Sequence, residues 1–256
     1  MSSLTKTSTD WRQRWNQLIN KIRRVQTQED RDRLLDDLSS PAAPFVLAFA
    51  NAHAMNSLVK SSAFFDALNS ADMVLRDGSG MATLYKLLHM EAGLNLNGTD
   101  LIPNLILRFN GRGIAFFGTQ NPYLEKCRDT VSKSLAPASE VTTAHGFLEA
   151  FKYADLANRK QPSLIVLGMG MPRQEQVAAV LRSELSFPCL IVCGGAIIDF
   201  LGGKAPRAPA WVRKSGLEWM FRLALEPRRL FQRYVIGNPL FLSRALRIAS
   251  KSSNRS

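Results

Sequence analysis

The sequence predicts an α/β fold in which a parallel β-sheet is covered by helices on both faces and is followed by a basic, helical appendage. Between residues 44 and 199, short and almost continuously apolar runs alternate with longer amphipathic stretches. Strands that are apolar on both sides are typical of parallel sheets, because helical crossovers bury both faces. After residue 199 the alternation stops and basic residues become concentrated. These two observations predict the fold class.

Six apolar runs are the predicted strands, and they cover 45–50, 73–75, 113–117, 141–143, 164–167 and 189–193. Helices are predicted between them, near 52–69, 80–92, 99–110, 121–136, 146–157 and 173–185. Such alternation is typical of a Rossmann-like sheet. We therefore divide the chain into an N-terminal helical extension (1–40), a Rossmann-like α/β domain (41–203) and a basic amphipathic helical appendage (204–256).

The first 40 residues are polar but carry Trp11 and Trp15, and their aliphatic residues recur at helical spacing. This pattern predicts one or two peripheral helices that end at Pro41. A lid, a membrane contact and a partner-binding helix are all compatible with it. The N-terminal residues lack the apolar core of a signal peptide, and no run reaches the roughly 18 to 20 apolar residues that span a bilayer. We expect a cytoplasmic protein whose three cysteines are buried thiols.

Most of the positive charge lies at the C-terminal end. Residues 204–256 hold twelve Lys and Arg against two Glu, a net charge of +10, while the whole chain carries +12. This distribution indicates an anionic partner, which could be phospholipid headgroups, pyrophosphate or nucleic acid. Amphipathic helices predicted near 210–225, 227–236 and 239–250 mix aromatic and aliphatic residues with arginine, which suits a membrane interface. The alternative is that their apolar faces pack onto the α/β domain.

Several loops follow predicted strands at the sheet edge where open parallel sheets bind ligands. The first carries Asp77, flanked by Arg76 and Gly78, and its carboxylate is placed to act as a general base. An ordinary Asp-Gly turn or a helix cap would give the same local pattern. The other candidates are glycines and polar residues after later strands: Gly118, Thr119, Gly168, Gly170, Gln174, Gly195 and Asp199. Each could contact a diphosphate or ribose, and each is also compatible with a simple strand-to-helix turn.

The sequence offers no obvious metal or cofactor site. No Asp-x-Asp follows a predicted strand, and the three histidines are scattered. We therefore expect no metal and no cofactor. Catalysis on a diphosphate-linked substrate would then need arginines or helix dipoles to stabilise the departing group, and the basic appendage could supply them.

Taken as a set, the motifs resemble the WecG/TagA/CpsF glycosyltransferase family, whose members add N-acetylmannosamine, its uronic acid or related sugars to undecaprenyl-linked intermediates. The resemblance runs from about Phe45 to Leu242. The segments that carry it are 77–80 (DGSG), 98–101 (GTDL), 145–147 (HGF), 168–175 (GMGMPRQE) and the long block from 194 to 229.

The resemblance implies a metal-independent, inverting transfer of a sugar from a UDP-sugar to a polyprenyl-diphosphate-linked acceptor, in cell-surface polysaccharide biosynthesis. It implies that Asp77 is the catalytic base, that Asn51 and Gln174 belong to the active site, and that Phe147 stacks on uracil. Asp199 would be a polar contact to the nucleotide. The appendage would bring the enzyme to the inner face of the cell membrane and complete the site, leaving room for a homo-oligomer. The arginines implied to face the diphosphate or the membrane are Arg207, Arg222, Arg229 and Arg233.

Two departures from the family pattern lie close to this site. The first strand–helix loop commonly begins Thr-x-Asn in the family, and here Phe49 stands in place of the threonine while Asn51 remains. The family often has an arginine before Gly-Thr-Asp, where this chain has Asn95, Leu96 and Asn97. Because Asp77 and Gln174 persist, we favour altered donor specificity over weakened catalysis.

Two other function classes compete with a transferase. A nucleotide-dependent oxidoreductase on a similar sheet is disfavoured because the loop at 168–173 lacks the third glycine of the dinucleotide-binding fingerprint. A non-catalytic protein that binds nucleotide or nucleic acid through the basic appendage is disfavoured because that appendage is rich in apolar residues at helical spacing. We expect no nucleic-acid partner.

Overall fold

A computed structural model describes residues 3–253, so residues 1–2 and 254–256 of the predicted terminal regions lie outside the described part of the chain. It contains a seven-stranded, all-parallel sheet in the order β1-β3-β2-β7-β6-β4-β5. The strands are β1 (Ile22–Arg23), β2 (Phe45–Ala50), β3 (Met73–Arg76), β4 (Ile114–Gly118), β5 (Val141–Ala144), β6 (Leu164–Gly168) and β7 (Leu190–Cys193). The predicted α/β class is confirmed, and the six predicted strands match to within one residue at either end.

Helices connect the strands and cover both faces of the sheet. Those that precede the appendage are α1 (Ser3–Lys21), α2 (Gln28–Leu38), α3 (Ala52–Lys60), α4 (Ser62–Ser70), α5 (Ser79–Leu87), α6 (Gly98–Arg108), α7 (Tyr123–Thr130), α8 (Ala150–Lys160), α9 (Arg173–Glu184) and α10 (Ile197–Leu201). The later ones are α11 (Ala210–Lys214), α12 (Glu218–Leu225), α13 (Pro227–Phe231) and α14 (Gly237–Ser253). Single π-helical turns follow α7 (Val131–Leu135) and α13 (Gln232–Ile236).

The long helix predicted at 52–69 is divided in two at Ser61. This residue has extended backbone angles, and its side chain accepts a hydrogen bond from the backbone N–H of Phe64. Serine is a preferred N-cap, because its hydroxyl satisfies a backbone donor at the start of a helix. The apolar periodicity continues across the break, which is why the sequence pattern predicts one helix.

The sheet separates two apolar cores. Alternate residues of β2 illustrate this: Val46 and Ala48 face one core, and Leu47 and Phe49 face the other. The first core is covered by α1, α3, α4, α5, α8, α9 and α14, and the second by α2, α6, α7 and α10. Crossovers toward the β1 edge run over the first face, and those toward β5 run over the second, as a single crossover hand requires. The connection from β3 to β4 differs in part, because its first helix, α5, packs on the first face before α6 covers the second. All strands therefore present their carboxyl ends at one edge.

Both ends of the chain pack against the α/β domain. The predicted N-terminal helical extension also contributes the edge strand β1, and its Trp15 is fully buried and donates to the carbonyl oxygen of Met55 at 2.8 Å. The Trp15 ring lies 5.5 Å from the ring of Phe241, which belongs to α14. Helix α14 therefore docks on the first face. Within the described residues, no helix is both long and apolar enough to cross a membrane.

Candidate active site

The predicted site residues follow the carboxyl ends of six neighbouring strands. From β3 to β5 these ends extend over about 24 Å, since adjacent strands lie about 4.8 Å apart. Asp77 follows β3 and Asn51 follows β2, so the two residues lie on adjacent strands. The loops after β7, β6 and β4 continue along this edge, and the loop that carries Phe147 follows β5. We call this edge of the sheet the site edge.

Asp77 is held in a defined orientation by Asn51. The Asn51 side-chain nitrogen donates to Asp77 Oδ2 at 3.1 Å, while its oxygen accepts from the backbone N–H of Ala54 and caps α3. The backbone N–H of Asp77 donates to the carbonyl oxygen of Ala50 at 2.9 Å. The other carboxylate oxygen has no hydrogen bond to the described residues, and the side chain is only half-buried. A carboxylate fixed on one side and open on the other suits a general base.

The loops after β4 and β6 approach each other through paired glycines. Gly118 is the register partner of Gly168, and a Cβ atom on Gly118 would lie 2.5 Å from the Gly168 carbonyl group. Thr119 adopts φ 42°, a strained angle for a β-branched residue. Its hydroxyl donates to Asp199 Oδ1 at 2.6 Å, and Lys204 also pairs with that carboxylate at 3.3 Å. Thr119 and Asp199 therefore form one polar unit at the centre of the site edge.

Gln174 and Gly195 are joined directly. Gln174 is only 1% exposed, and its side-chain oxygen accepts from the Gly195 backbone N–H at 2.9 Å. Gly170, in the preceding loop, has φ 79° and accepts through its carbonyl from the Gln174 backbone N–H. The Gln174 side chain thus ties the loop after β6 to the loop after β7.

Glu175 lies within the 168–175 motif but is not among the predicted site residues. Its side chain is 2% exposed, and its Oε1 accepts from the Gln174 side-chain nitrogen at 2.8 Å. Burial raises the pKa of Glu175 to about 7, and Oε2 has no hydrogen-bond partner among the described residues. The burial of Glu175 could have been predicted from the sequence, because Glu175 shares helical spacing with the apolar residues Ala178 and Leu181, which are buried on the same helix.

Phe147 lies at the far end of the site edge. Its side chain is 68% exposed, and four strands separate the strand that precedes it from the one that precedes Asp77. The Tyr153 hydroxyl accepts from the Leu148 backbone N–H and donates to the His145 carbonyl oxygen. Arg173 donates to the Leu148 carbonyl oxygen at 2.6 Å. The aromatic ring is thus presented on a fixed loop but is not brought to Asp77, and Tyr153 is a supporting residue that sequence reasoning missed.

Arginines of the appendage reach the site edge at two points. Arg233 lies close enough to Asp77 for their charges to interact; burial lowers the pKa of Arg233, and Asp77 partly offsets this effect. Burial, together with the nearby Arg233 and Lys60, lowers the pKa of His53 to about 4. The hydrogen bonds of Arg229 with Glu226 raise the pKa of Arg229, and the charge of Asp199 further along the edge adds to this effect.

The other two predicted arginines hold the appendage in place. The guanidinium of Arg222 lies 5.5 Å from the centre of the Phe200 ring. Arg207 forms an ion pair with Asp100 in the first turn of α6. Within the described residues, no group of three or more His, Cys, Asp and Glu side chains is arranged to hold a metal ion.

Comparison of the sequence with known proteins places this chain in a family. Residues 16–255 match the family described as the glycosyl transferase WecG/TagA/CpsF family. The chain is 24% identical to N-acetylglucosaminyldiphosphoundecaprenol N-acetyl-beta-D-mannosaminyltransferase of Bacillus subtilis over 188 residues, covering 72% of this chain and 73% of that protein. It is 23% identical to the Staphylococcus aureus protein of the same name over 185 residues, covering 71% and 72%. With nearly its whole length matched, this chain belongs to the WecG/TagA/CpsF family of glycosyltransferases.

Proposed function

We propose that this glycosyltransferase moves a sugar from a UDP-sugar to a polyprenyl-diphosphate-linked acceptor, without a metal ion and with inversion at the anomeric carbon. The observation that carries the proposal is the oriented Asp77 carboxylate, with Asn51 on one side and the half-buried Arg233 close by. The two relatives are named for transfer to N-acetylglucosaminyldiphosphoundecaprenol, which supports an acceptor of this class.

In the proposed step, Asp77 removes the proton from an acceptor hydroxyl as its oxygen attacks the anomeric carbon. The bond between that carbon and the diphosphate breaks, and UDP leaves with the electron pair. Attack opposite to the departing group inverts the configuration. Negative charge that develops on the diphosphate is stabilised by Arg233 and Arg229, which act most strongly where water is excluded. The Thr119–Asp199 pair and the glycine-lined loops are the proposed nucleotide contacts.

The proposed location is the inner face of the cell membrane, in cell-surface polysaccharide synthesis. The appendage displays large apolar side chains beside its arginines, and Trp211 is 71% exposed. Other exposed apolar residues from 211 onward are Leu217, Met220, Leu225, Phe231, Val235, Ile236, Leu240, Leu242 and Leu246. An array of exposed apolar and cationic groups fits an anionic membrane surface, where a lipid-linked acceptor would be found. Family membership favours this reading over an oxidoreductase or a nucleic-acid-binding protein.

The decisive experiment measures UDP release from UDP-N-acetylmannosamine and other UDP-sugars with a polyprenyl-diphosphate-linked N-acetylglucosamine acceptor. We expect turnover in the presence of EDTA and a product of inverted anomeric configuration by NMR. Asp77→Asn should lower kcat by about 10²-fold or more, since general-base catalysis contributes 10²–10⁴-fold. Asp66→Asn, at an exposed position on α4, is the matched control and should retain activity. Full turnover of Asp77→Asn with intact fold would remove the base assignment.

A further inference from the structure

Arg76 is a buried cation next to the proposed base. Its side chain lies at the end of β3 and is only 5% exposed. In the described part of the chain no carboxylate lies within ion-pair distance, and its Nε has no hydrogen-bond partner. Burial lowers the pKa of Arg76, and the charges of Asp77 and Tyr85 partly offset that effect. A buried charge without a paired carboxylate is costly, so its position calls for a specific reason.

The guanidinium of Arg76 binds two backbone carbonyl groups of the adjoining loop. One terminal nitrogen donates to the Gly78 carbonyl oxygen at 3.0 Å, and the other donates to the Gly93 carbonyl oxygen at 2.8 Å. The segment after Gly93 runs alongside, and the Leu96 backbone N–H donates to the Arg76 carbonyl oxygen at 3.2 Å. Arg76 therefore joins the loop after β3 to a segment seventeen residues further along the chain.

Asn95 holds the same glycine from its other side. Its side-chain oxygen accepts from the Gly78 backbone N–H at 2.7 Å. Gly78 itself has φ 85°, which favours glycine, and begins α5 without a side-chain cap of its own. Both polar backbone groups of Gly78 are thus bound by side chains, while the Asp77 N–H is bound to Ala50. The backbone on each side of the carboxylate-bearing residue is fixed.

We propose that Arg76 and Asn95 form a clamp on Gly78 that positions the Asp77 carboxylate for proton removal. The proposal rests on the proposed function, since it concerns the same base. Neither residue is placed against the substrate, so both are positioning residues. Proton transfer and attack depend steeply on geometry, and a displacement of about 1 Å can lower the rate by about 10²-fold. The clamp would also explain why a dehydrated guanidinium is retained at this position.

The test uses Arg76→Met and Asn95→Ala in the full chain, assayed for UDP release. We expect kcat to fall by about 10- to 100-fold while the KM of the UDP-sugar changes by less than about threefold, since the lost contacts act on the transition-state geometry. Arg76→Lys keeps the charge but lacks the planar fork whose two terminal nitrogens reach the two carbonyls, and should recover only part of the rate. The double variant should be scarcely slower than Arg76→Met, because both residues act on one peptide unit.

Matched controls separate positioning from general stability. Arg112→Met removes another guanidinium that donates to two carbonyls, those of Ser39 and Arg108, far from the site edge. Asn110→Ala removes an exposed asparagine oxygen that accepts from the Ala138 N–H. Both controls should keep kcat within about twofold of wild type. Unchanged kcat in the clamp variants, or equal losses in the controls, would overturn the clamp. Asn95 is exposed, so its variant remains informative if Arg76→Met does not fold.

Hydrogen exchange distinguishes failure of the clamp from failure of the proposed function. If the wild-type protein shows no turnover with any UDP-sugar, the proposed function fails, and the clamp is judged on exchange alone. Backbone amides of residues 77–80 should exchange at least about tenfold faster in Arg76→Met and Asn95→Ala than in the wild type, and should be unaffected in the two controls. Unaltered exchange in the clamp variants would overturn the proposal.

Discussion

Glu175→Gln offers a direct test of how the buried carboxyl affects stability. In the folded protein the Glu175 side chain is buried in the first turn of α9, and it accepts a hydrogen bond from the side chain of Gln174. Glutamine keeps an oxygen that can accept the same hydrogen bond, but it cannot ionise. The substitution therefore removes the titration of this position while largely preserving its shape.

The magnitude follows from the difference in pKa between the two states. Burial raises the pKa of Glu175 from 4.5 to about 7. Below pH 4.5 both the folded and unfolded forms are protonated, so there is no penalty. Between pH 4.5 and about pH 7, the unfolded chain is ionised at this position while the folded protein keeps its proton. Stability is therefore lost as the pH rises through this window, and the loss is complete above about pH 7. Since one pKa unit corresponds to 1.36 kcal/mol, the total is about 3 kcal/mol, with about 2.5 kcal/mol of it between pH 5 and 8.

Denaturant unfolding at several pH values measures this directly. The free energy of unfolding of Glu175→Gln minus that of wild type should become more positive by about 2.5 kcal/mol from pH 5 to pH 8. A constant offset from the glutamine amide would not alter this slope. Glu184→Gln, at an exposed position of the same helix, is the matched control for the loss of a carboxylate from α9, and its profile should differ from that of Glu175→Gln. Parallel pH profiles for wild type and Glu175→Gln would refute the reasoning.

Two further predictions concern the site edge and the appendage. Gly118→Ala places a Cβ atom 2.5 Å from the Gly168 carbonyl group, so it should lower the free energy of unfolding by more than about 2 kcal/mol. Gly111→Ala, where φ is 85° but no atom lies within 4 Å of the added Cβ, should cost only about 1 kcal/mol, from the left-handed backbone angle alone. Equal costs for the two substitutions would contradict the close packing at Gly118. Trp211→Ser should lower partitioning onto anionic liposomes by about tenfold, corresponding to the loss of one buried large apolar side chain. Leu107→Ser, exposed on α6, is its control, and an equal loss there would exclude a specific role of the appendage.

Six of the seven strands could be predicted, because their local apolar pattern agrees with their burial on both faces of the sheet. Runs such as Phe45–Ala50 are apolar throughout, as both faces of the sheet are covered. The edge strand Ile22–Arg23 has only two residues and forms through pairing with Val74 and Leu75, so nothing in the local sequence distinguishes it from the preceding helix. The position of site residues at one edge also followed from the sequence, because parallel strands share a direction.

Side-chain networks within the site could not be predicted in the same way. The sequence places Gln174 in a loop motif, but its bond to the Gly195 N–H depends on how two loops approach in space. The clamp likewise joins Arg76 to carbonyls that are two and seventeen residues away. Such contacts depend on backbone positions that alternating apolarity does not determine. The sequence pattern thus identified the edge, while the orientation of each side chain came from the fold.

Several basic residues of the appendage are already paired within the folded protein. Arg207 and Arg213 both pair with Asp100, which ties the appendage to the start of α6. Arg244 donates to the Asn56 side-chain oxygen at 2.7 Å, and this contact anchors α14 on α3. These cations already have structural partners. The net charge of +10 therefore overstates how much positive charge is available to an anionic substrate.

Arg233 is in a different situation. Its Nε is buried without a hydrogen-bond partner among the described residues, and its charge interacts with that of Asp77. Binding an anion usually requires that a guanidinium lose hydration, which reduces the gain from the new contact. A guanidinium that folding has already partly dehydrated loses less of its hydration when it binds an anion, so the anion gains more of the direct interaction. Under the proposed function, stabilisation of the departing diphosphate therefore depends on the position of Arg233 more than on the total charge of the appendage.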